Sequence, residues 1–163
     1  MAAAKDTPRV DRVARVIPAP AAAIYAALTD GQAVARWLPP HGMRGEILAF
    51  EPRPGGAYSM ILHYEDAAGA PGKTDAGSDR TDGRFVELVE NERVVQAVRF
   101  DSDDPAFGGE MRMTWTLTPV AGGTAVAVVA ENVPPGITPD AHEEGIASTL
   151  LNLERFVTGQ GAD

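Results

Sequence analysis

The sequence predicts an α+β fold in which a run of antiparallel strands is flanked by helices kept apart in the chain. Three observations carry this. From residue 45 to residue 132 apolar and polar residues alternate mostly with period two, the pattern of strands with one wet face. Ile146, Leu150, Leu153 and Val157, with Phe156 beside them, form one apolar helix face about three turns long. Helical patterns fall only near the two ends, so the chain does not alternate strand and helix as a doubly wound sheet does.

In chain order, residues 9–17 alternate charged and apolar side chains, with Val10, Arg12, Ala14 and Val16 opposite the rest. Pro18 and Pro20 end this strand, and Pro20 suits a first helical position, where its missing N–H is unpaired in any case. Residues 21–28 read as a short helix with Ala21, Ile24 and Leu28 on one stripe. Asp30 is placed to cap a second short helix whose buried side carries Val34, Trp37 and Leu38, and Pro39-Pro40 stops it. Six strands follow, at 45–51, 56–65, 83–90, 93–100, 109–119 and 124–131. Turn residues separate several of them: Pro-Gly-Gly at 54–56, Glu-Asn-Glu at 90–92 and Ala-Gly-Gly at 121–123. The connections 66–82 and 101–108 are polar, and the first is expected to be a mobile loop. Thr138 as N-cap, Pro139 behind it and Gly159 at the far end bound the long helix.

Composition narrows the chemistry. The 163 residues carry 14 Lys and Arg against 23 Asp and Glu, a net charge of −9, and no cysteine. That excludes disulfides, thiolate metal sites and a cysteine nucleophile. It also argues against nucleic acid and anionic membrane as partners, which need clustered positive charge. With no leader-like apolar segment at the start, a cytoplasmic location is expected. The length favours a single domain.

Several phrases carry a resemblance: TDGQAVARWLPP (29–40), EILAFEPRPGGAYSM (46–60), TDGRFVELVENERVV (81–95), FDSDDPAFGGEMRMTWTLTPV (100–120), ENVPPGI (131–137) and HEEGIASTLLNLERF (142–156). Together they resemble the bacterial SRPBCC/START-like superfamily, in the branch named after the C-terminal domain of the activator of heat-shock protein ninety ATPase. The resemblance covers residues 9–158 and leaves 1–8 and 159–163 as flexible termini. It implies a helix-grip fold, a curved seven-stranded antiparallel sheet around the C-terminal helix, with two short helices after strand one. It further implies a largely apolar cavity, in which some relatives bind lipids, hormones or plant metabolites and others cyclise polyketides. The co-chaperone's ATPase stimulation depends largely on a separate N-terminal domain, for which 163 residues leave no room, so the family label describes a fold and not an activity. Relatives of this branch commonly place Trp where this chain has Ile146, and the smaller residue would enlarge or reshape a cavity.

The strongest candidate site is the large apolar set facing the long helix. Tyr58, Met60, Leu62 and Tyr64 share one face of the third strand, and Met111, Met113, Trp115 and Leu117 share one face of the sixth. The expected ligand-binding residues are Trp37, Tyr58, Met60, Leu62, Phe85, Met113, Trp115, His142, Ile146, Leu150 and Leu153, with Trp37 at the cavity mouth, where relatives close it. The same stripes would also arise if these residues simply filled a core. His142 lies on the inward stripe near one end of the cavity, as an acid, base or donor or as a solvated first-turn residue. His63 falls on the outer face and His41 in a loop. Glu46 and Glu131 sit at strand ends from which a carboxylate could reach a cavity mouth. Asp101, Asp103 and Asp104 lack the glycine and terminal glutamate of a calcium loop, and no histidine pair has metal-ligand spacing.

Three functions are compatible with these residues. A small hydrophobic, lipid-like or aromatic ligand bound in the cavity ranks first. A protein-interaction or stress-response module with a chaperone or other protein partner ranks second. A cyclase/aromatase-like or hydrolase-like enzyme using His142, Tyr58 or Glu131 ranks third. No cofactor, metal, nucleic acid or membrane is expected, and the protein is expected to be a monomer or weak homodimer.

Overall fold

A computed structural model describes residues 9–39, 42–64 and 78–159. The expectations for His41, for the two termini and for most of the 66–82 connection lie outside these residues. The element order is β1 (Val10–Ile17), α1 (Ala21–Leu28), α2 (Gly31–Trp37), β2 (Met43–Phe50), β3 (Ala57–Tyr64), β4 (Ser78–Val89), β5 (Arg93–Phe100), a 3-10 turn (Pro105–Phe107), β6 (Met111–Val120), β7 (Gly123–Glu131) and α3 (Pro139–Thr158). The seven strands make one antiparallel sheet in the order β1-β7-β6-β5-β4-β3-β2. Strands β2 to β7 therefore follow one another as a meander, and β1 is added beside β7. Among the described residues the chain crosses from one sheet edge to the other between β1 and β2, and α1 and α2 lie on that crossing.

The caps expected from sequence form at two of the three helices. Asp30 accepts from the backbone N–H of Gln32 at 3.0 Å, and Thr138 accepts from Ala141 N–H at 3.2 Å. Pro139 opens α3, and Gly159 closes it with φ +77°, a left-handed conformation that costs glycine nothing. Pro20 differs by one position: it precedes α1 in extended conformation, and Ala21 is the first helical residue.

β4 departs most from expectation. It begins at Ser78, five residues before the expected start, because Ser78–Asp82 pair with β3, where His63 opposes Ser78, and Thr81 and Asp82 pair with β5 as well, where Phe100 opposes Thr81. The ladder hydrogen bonds thus hold a polar stretch, SDRTD, in a strand that its own residue types do not favour. The register slips at Leu48 in β2 and at Val86 in β4, and an extra residue in one strand of a pair bends the sheet. Gly83 permits a close approach near the second slip, since a Cβ there would run into the carbonyl oxygen of Ala97 on β5.

In β1 the face bearing two valines is the wet one. Val10 and Val16 are exposed, whereas Asp11 is only 3% exposed and Ile17 is fully buried. The charged residues of the inward face are paired instead. Asp11 meets His142, and Arg15 reaches Glu154 at 2.7 Å, so two contacts tie β1 to α3. The hydrophobic core lies between sheet and helices and includes Ile146, Leu150 and Leu153 of α3 with Met60, Phe85, Trp115 and Val126 of the sheet. Thr149 donates to the carbonyl of Leu38 at 2.9 Å and Asn152 to that of Pro39 at 2.9 Å. These bonds satisfy carbonyls left open at the end of α2 and fasten it to α3.

Candidate functional site

Between the inner face of the sheet and the first half of α3 the core leaves a cavity of about 310 Å³. That is at the small end of ligand pockets, which run from roughly 300 to 1,000 Å³. Its wall follows the period of the strands, with every second residue pointing in: Tyr58, Leu62 and Tyr64 from β3, Gln96, Val98 and Phe100 from β5, and Met111, Met113 and Trp115 from β6. Asp79 and Thr81 of β4 and Val128 of β7 complete the sheet side. Opposite them stand Ile137, Ala141, His142, Gly145, Ile146 and Thr149, and Leu38 and Met43 close the α2 side. A Cβ built on Gly145 would meet nothing within 4 Å, so the helix faces open space at that position.

The cavity brings together part of the sequence-derived set. Tyr58, Leu62, Met113, Trp115, His142 and Ile146 are on its wall. Trp37, Met60, Phe85, Leu150 and Leu153 are packed in the core behind it, each at most 2% exposed. Trp37 does not stand at the mouth. Its indole N–H donates to Ala27 O at 3.1 Å, and its ring meets Trp115 edge to face. Burial next to a backbone acceptor satisfies both the apolar body and the polar tip of this side chain. Phe85 sits in a cluster with Phe50 and Tyr58, with centroids 5.2 and 5.9 Å away. Glu131 and Glu46 are exposed and off the wall, and Glu46 is paired with His63 Nε2 at 3.0 Å on the outer face. Asp104 caps the 3-10 turn through Ala106 N–H at 2.9 Å. Among the described residues no three His, Asp or Glu side chains gather as a metal site would require.

Several polar groups punctuate the apolar wall. Burial pushes the phenol of Tyr58 up to about 12, and its hydroxyl contacts Met60 Sδ at 3.6 Å. Tyr64 is also raised, by burial and then by the charge of Asp79, whose carboxylate its hydroxyl faces at 3.5 Å. At the α3 end, His142 Nδ1 lies 2.7 Å from Asp11 Oδ2. Arg9 grips the same carboxylate with two hydrogen bonds, Nη2 to Oδ2 at 2.8 Å and Nε to Oδ1 at 3.1 Å. Residues 9 and 11 can pair this way because positions two apart in a strand share a face. Burial alone would raise the Asp11 carboxyl; the hydrogen bonds from Arg9 and His142 and the charge of Arg9 outweigh it and hold the group below the usual aspartate value.

Sequence reasoning missed Asp11, Asp79, Thr81 and Gln96. For Gln96 the signal was present, since Val94, Gln96, Val98 and Phe100 alternate on one face of β5. For Asp79 and Thr81 there was none, because their segment reads as a loop.

An antiparallel sheet curved around one long helix, with an apolar cavity between them, defines a helix-grip domain. The chain belongs to the Activator of Hsp90 ATPase homolog 1-like protein family, whose pattern matches residues 18–158. Among solved structures it is similar to a protein of Chromobacterium violaceum, at 33% identity and a TM-score of 0.80, over 91% of this chain and 96% of that one. A protein of Rhodobacter sphaeroides shares 22% identity at a TM-score of 0.74, over 91% of each chain. A protein of the dynemicin biosynthetic locus shares 24% at 0.66, over 94% of this chain and 49% of its own. The last two likenesses are of fold alone. No curated protein matches the chain. Among the described residues no helix is long and apolar enough to cross a membrane.

Proposed function

We propose that this protein binds one small, mainly apolar molecule in the cavity between the sheet and α3. The observation that carries this reading is the unfilled space itself. Leu62, Met113, Trp115 and Ile146 line about 310 Å³ of partly open space beside the packed core, and Gly145 adds no side chain to fill it. A concave, mainly apolar pocket with a few polar groups is the usual form of a small-molecule site, so a space of this size and lining favours an occupant. An aromatic body burying about 200 Å² of apolar surface would gain roughly 5 kcal/mol before the costs of association. Methionines at 43, 111 and 113 adapt to irregular shapes, and the few polar groups orient a ligand more than they hold it. The family resemblance read from the sequence points the same way.

Native mass spectrometry of protein purified from its own host tests this directly, with a co-purified small molecule as the expected result. Titration of the emptied protein with naphthalene, followed by calorimetry, supplies the second arm. Protein that carries no small molecule and takes up no naphthalene overturns the reading.

A further inference from the structure

We propose that His142 is a ligand anchor: its second ring nitrogen, Nε2, accepts a hydrogen bond from the hydroxyl of a phenol-like or enol-like apolar molecule, and Asp11 and Arg9 position the ring for it. This rests on the cavity-binding reading and specifies the class of ligand.

The geometry fixes which nitrogen does what. A carboxylate already gripped by a guanidinium can only accept, so the 2.7 Å contact between Asp11 Oδ2 and His142 Nδ1 is an N–H donated by the ring. With the hydrogen on Nδ1, the neutral ring presents a lone pair at Nε2. His142 lines the cavity and Asp11 does not, and with Nδ1 held by Asp11 it is Nε2 that stays accessible. Among the described residues no protein group meets Nε2. Its neighbours on the wall, Ile137, Ala141, Gly145 and Ile146, offer no side-chain donor.

Orientation of an imidazole by a carboxylate fixes its tautomer and direction, as partners behind metal-bound histidines do. Here no metal cluster accompanies it among the described residues, and the ring lies on a mainly apolar cavity wall. A polar atom in such surroundings gains most from a partner that brings a donor and otherwise buries carbon. A hydroxyl on an aromatic or conjugated body meets both requirements. Tyr64 and Asp79 face one another, and the Thr149 hydroxyl is donated to Leu38 O, so these wall groups are already engaged.

The test uses two probes of nearly equal shape, 2-naphthol and naphthalene, titrated calorimetrically into the full chain. Wild type is expected to bind 2-naphthol about tenfold more tightly than naphthalene. In His142→Asn the side-chain amide still donates to Asp11 while nothing replaces Nε2. The melting temperature should stay close to wild type, and the preference for naphthol should fall to about twofold or less. A preference that survives in this variant overturns the anchor and leaves cavity binding standing. Failure of wild type to bind either probe removes the cavity reading and the anchor together. Should His142→Asn not fold, wild-type protein carrying 15N-labelled histidine decides. The Nε2 resonance of His142 should move further with 2-naphthol than with naphthalene, and an equal response overturns the proposal.

Discussion

Trp37 and Trp115 meet edge to face with ring centroids 5.7 Å apart and planes at 82°, yet only Trp115 looks onto the cavity. One indole thus backs the other. The cavity wall at Trp115 rests on a fully packed ring that is itself fixed through its N–H to Ala27 O.

Trp37→Phe keeps an aromatic ring behind Trp115 and removes the hydrogen bond. Stability should fall by about 1–3 kcal/mol in urea denaturation, while naphthalene affinity stays within about twofold of wild type. A tenfold loss of affinity without a matching loss of stability would place Trp37 in the site itself.

Gly145 separates the cost of an open helix face from its use. Gly145→Ala should stabilise the protein by about 0.5–1 kcal/mol, since alanine is the better helix former and its methyl enters open space. Gly145→Trp should leave a folded protein whose cavity is filled, with naphthalene binding abolished. Thermal melts and calorimetric titration of the two variants check both halves. Undiminished binding by Gly145→Trp would show that the probe sits elsewhere.

Gly83 answers to a different constraint. A methyl at this position meets the Ala97 carbonyl across the β4–β5 pair. Backbone atoms cannot yield as a side-chain tip can, so Gly83→Ala should cost about 2 kcal/mol or more in chemical denaturation. A neutral effect would mean that the two strands approach less closely than described.

The Asp11 carboxyl is held below the usual aspartate value, which sets the sign of its pH dependence. Between its folded value and the ordinary value near 3.8 the unfolded chain binds more protons than the folded one. Stability from Asp11 is therefore full above about pH 4 and lost as pH falls through the folded value. Asp11→Asn should be less stable than wild type at pH 6, on the order of 3 kcal/mol, with the gap narrowing toward pH 3. A gap constant across that range would show that Asp11 is not held low.

The fold was legible wherever local pattern and tertiary environment agree. Alternation exposed the inward faces of β3 and β6, and the spacing of Ile146, Leu150 and Leu153 fixed the buried stripe of α3. Asp30 and Thr138 were readable as caps because capping depends on neighbours in sequence. The site was less legible, for reasons of distance. Asp11 and His142 are 131 positions apart, and no spacing rule joins them. The alternation in β1 does not say which face is inward, so nothing local marks Asp11 as buried. Ser78–Asp82 became a strand only through pairing with β3 and β5, which hid Asp79 and Thr81. Resemblance to relatives sets Trp37 at the mouth, and its place on the buried stripe of α2 does not say which ring it packs against.

The pairing of β1 with β7, together with the Asp11–His142 contact, has a consequence for biosynthesis. Of the seven strands β1 is made before the others, but its sheet neighbour among the described residues, β7, and its α3 partner come last. Arg9 and Asp11 must wait for His142 before the cavity has its polar end, and until then only α1 and α2 are there to cover the greasy inner face of the meander. Contacts this remote in sequence form slowly, and strands left uncovered in the meantime invite aggregation. A nascent chain halted before residue 139 therefore has no finished pocket to offer a ligand, however completely its sheet has formed.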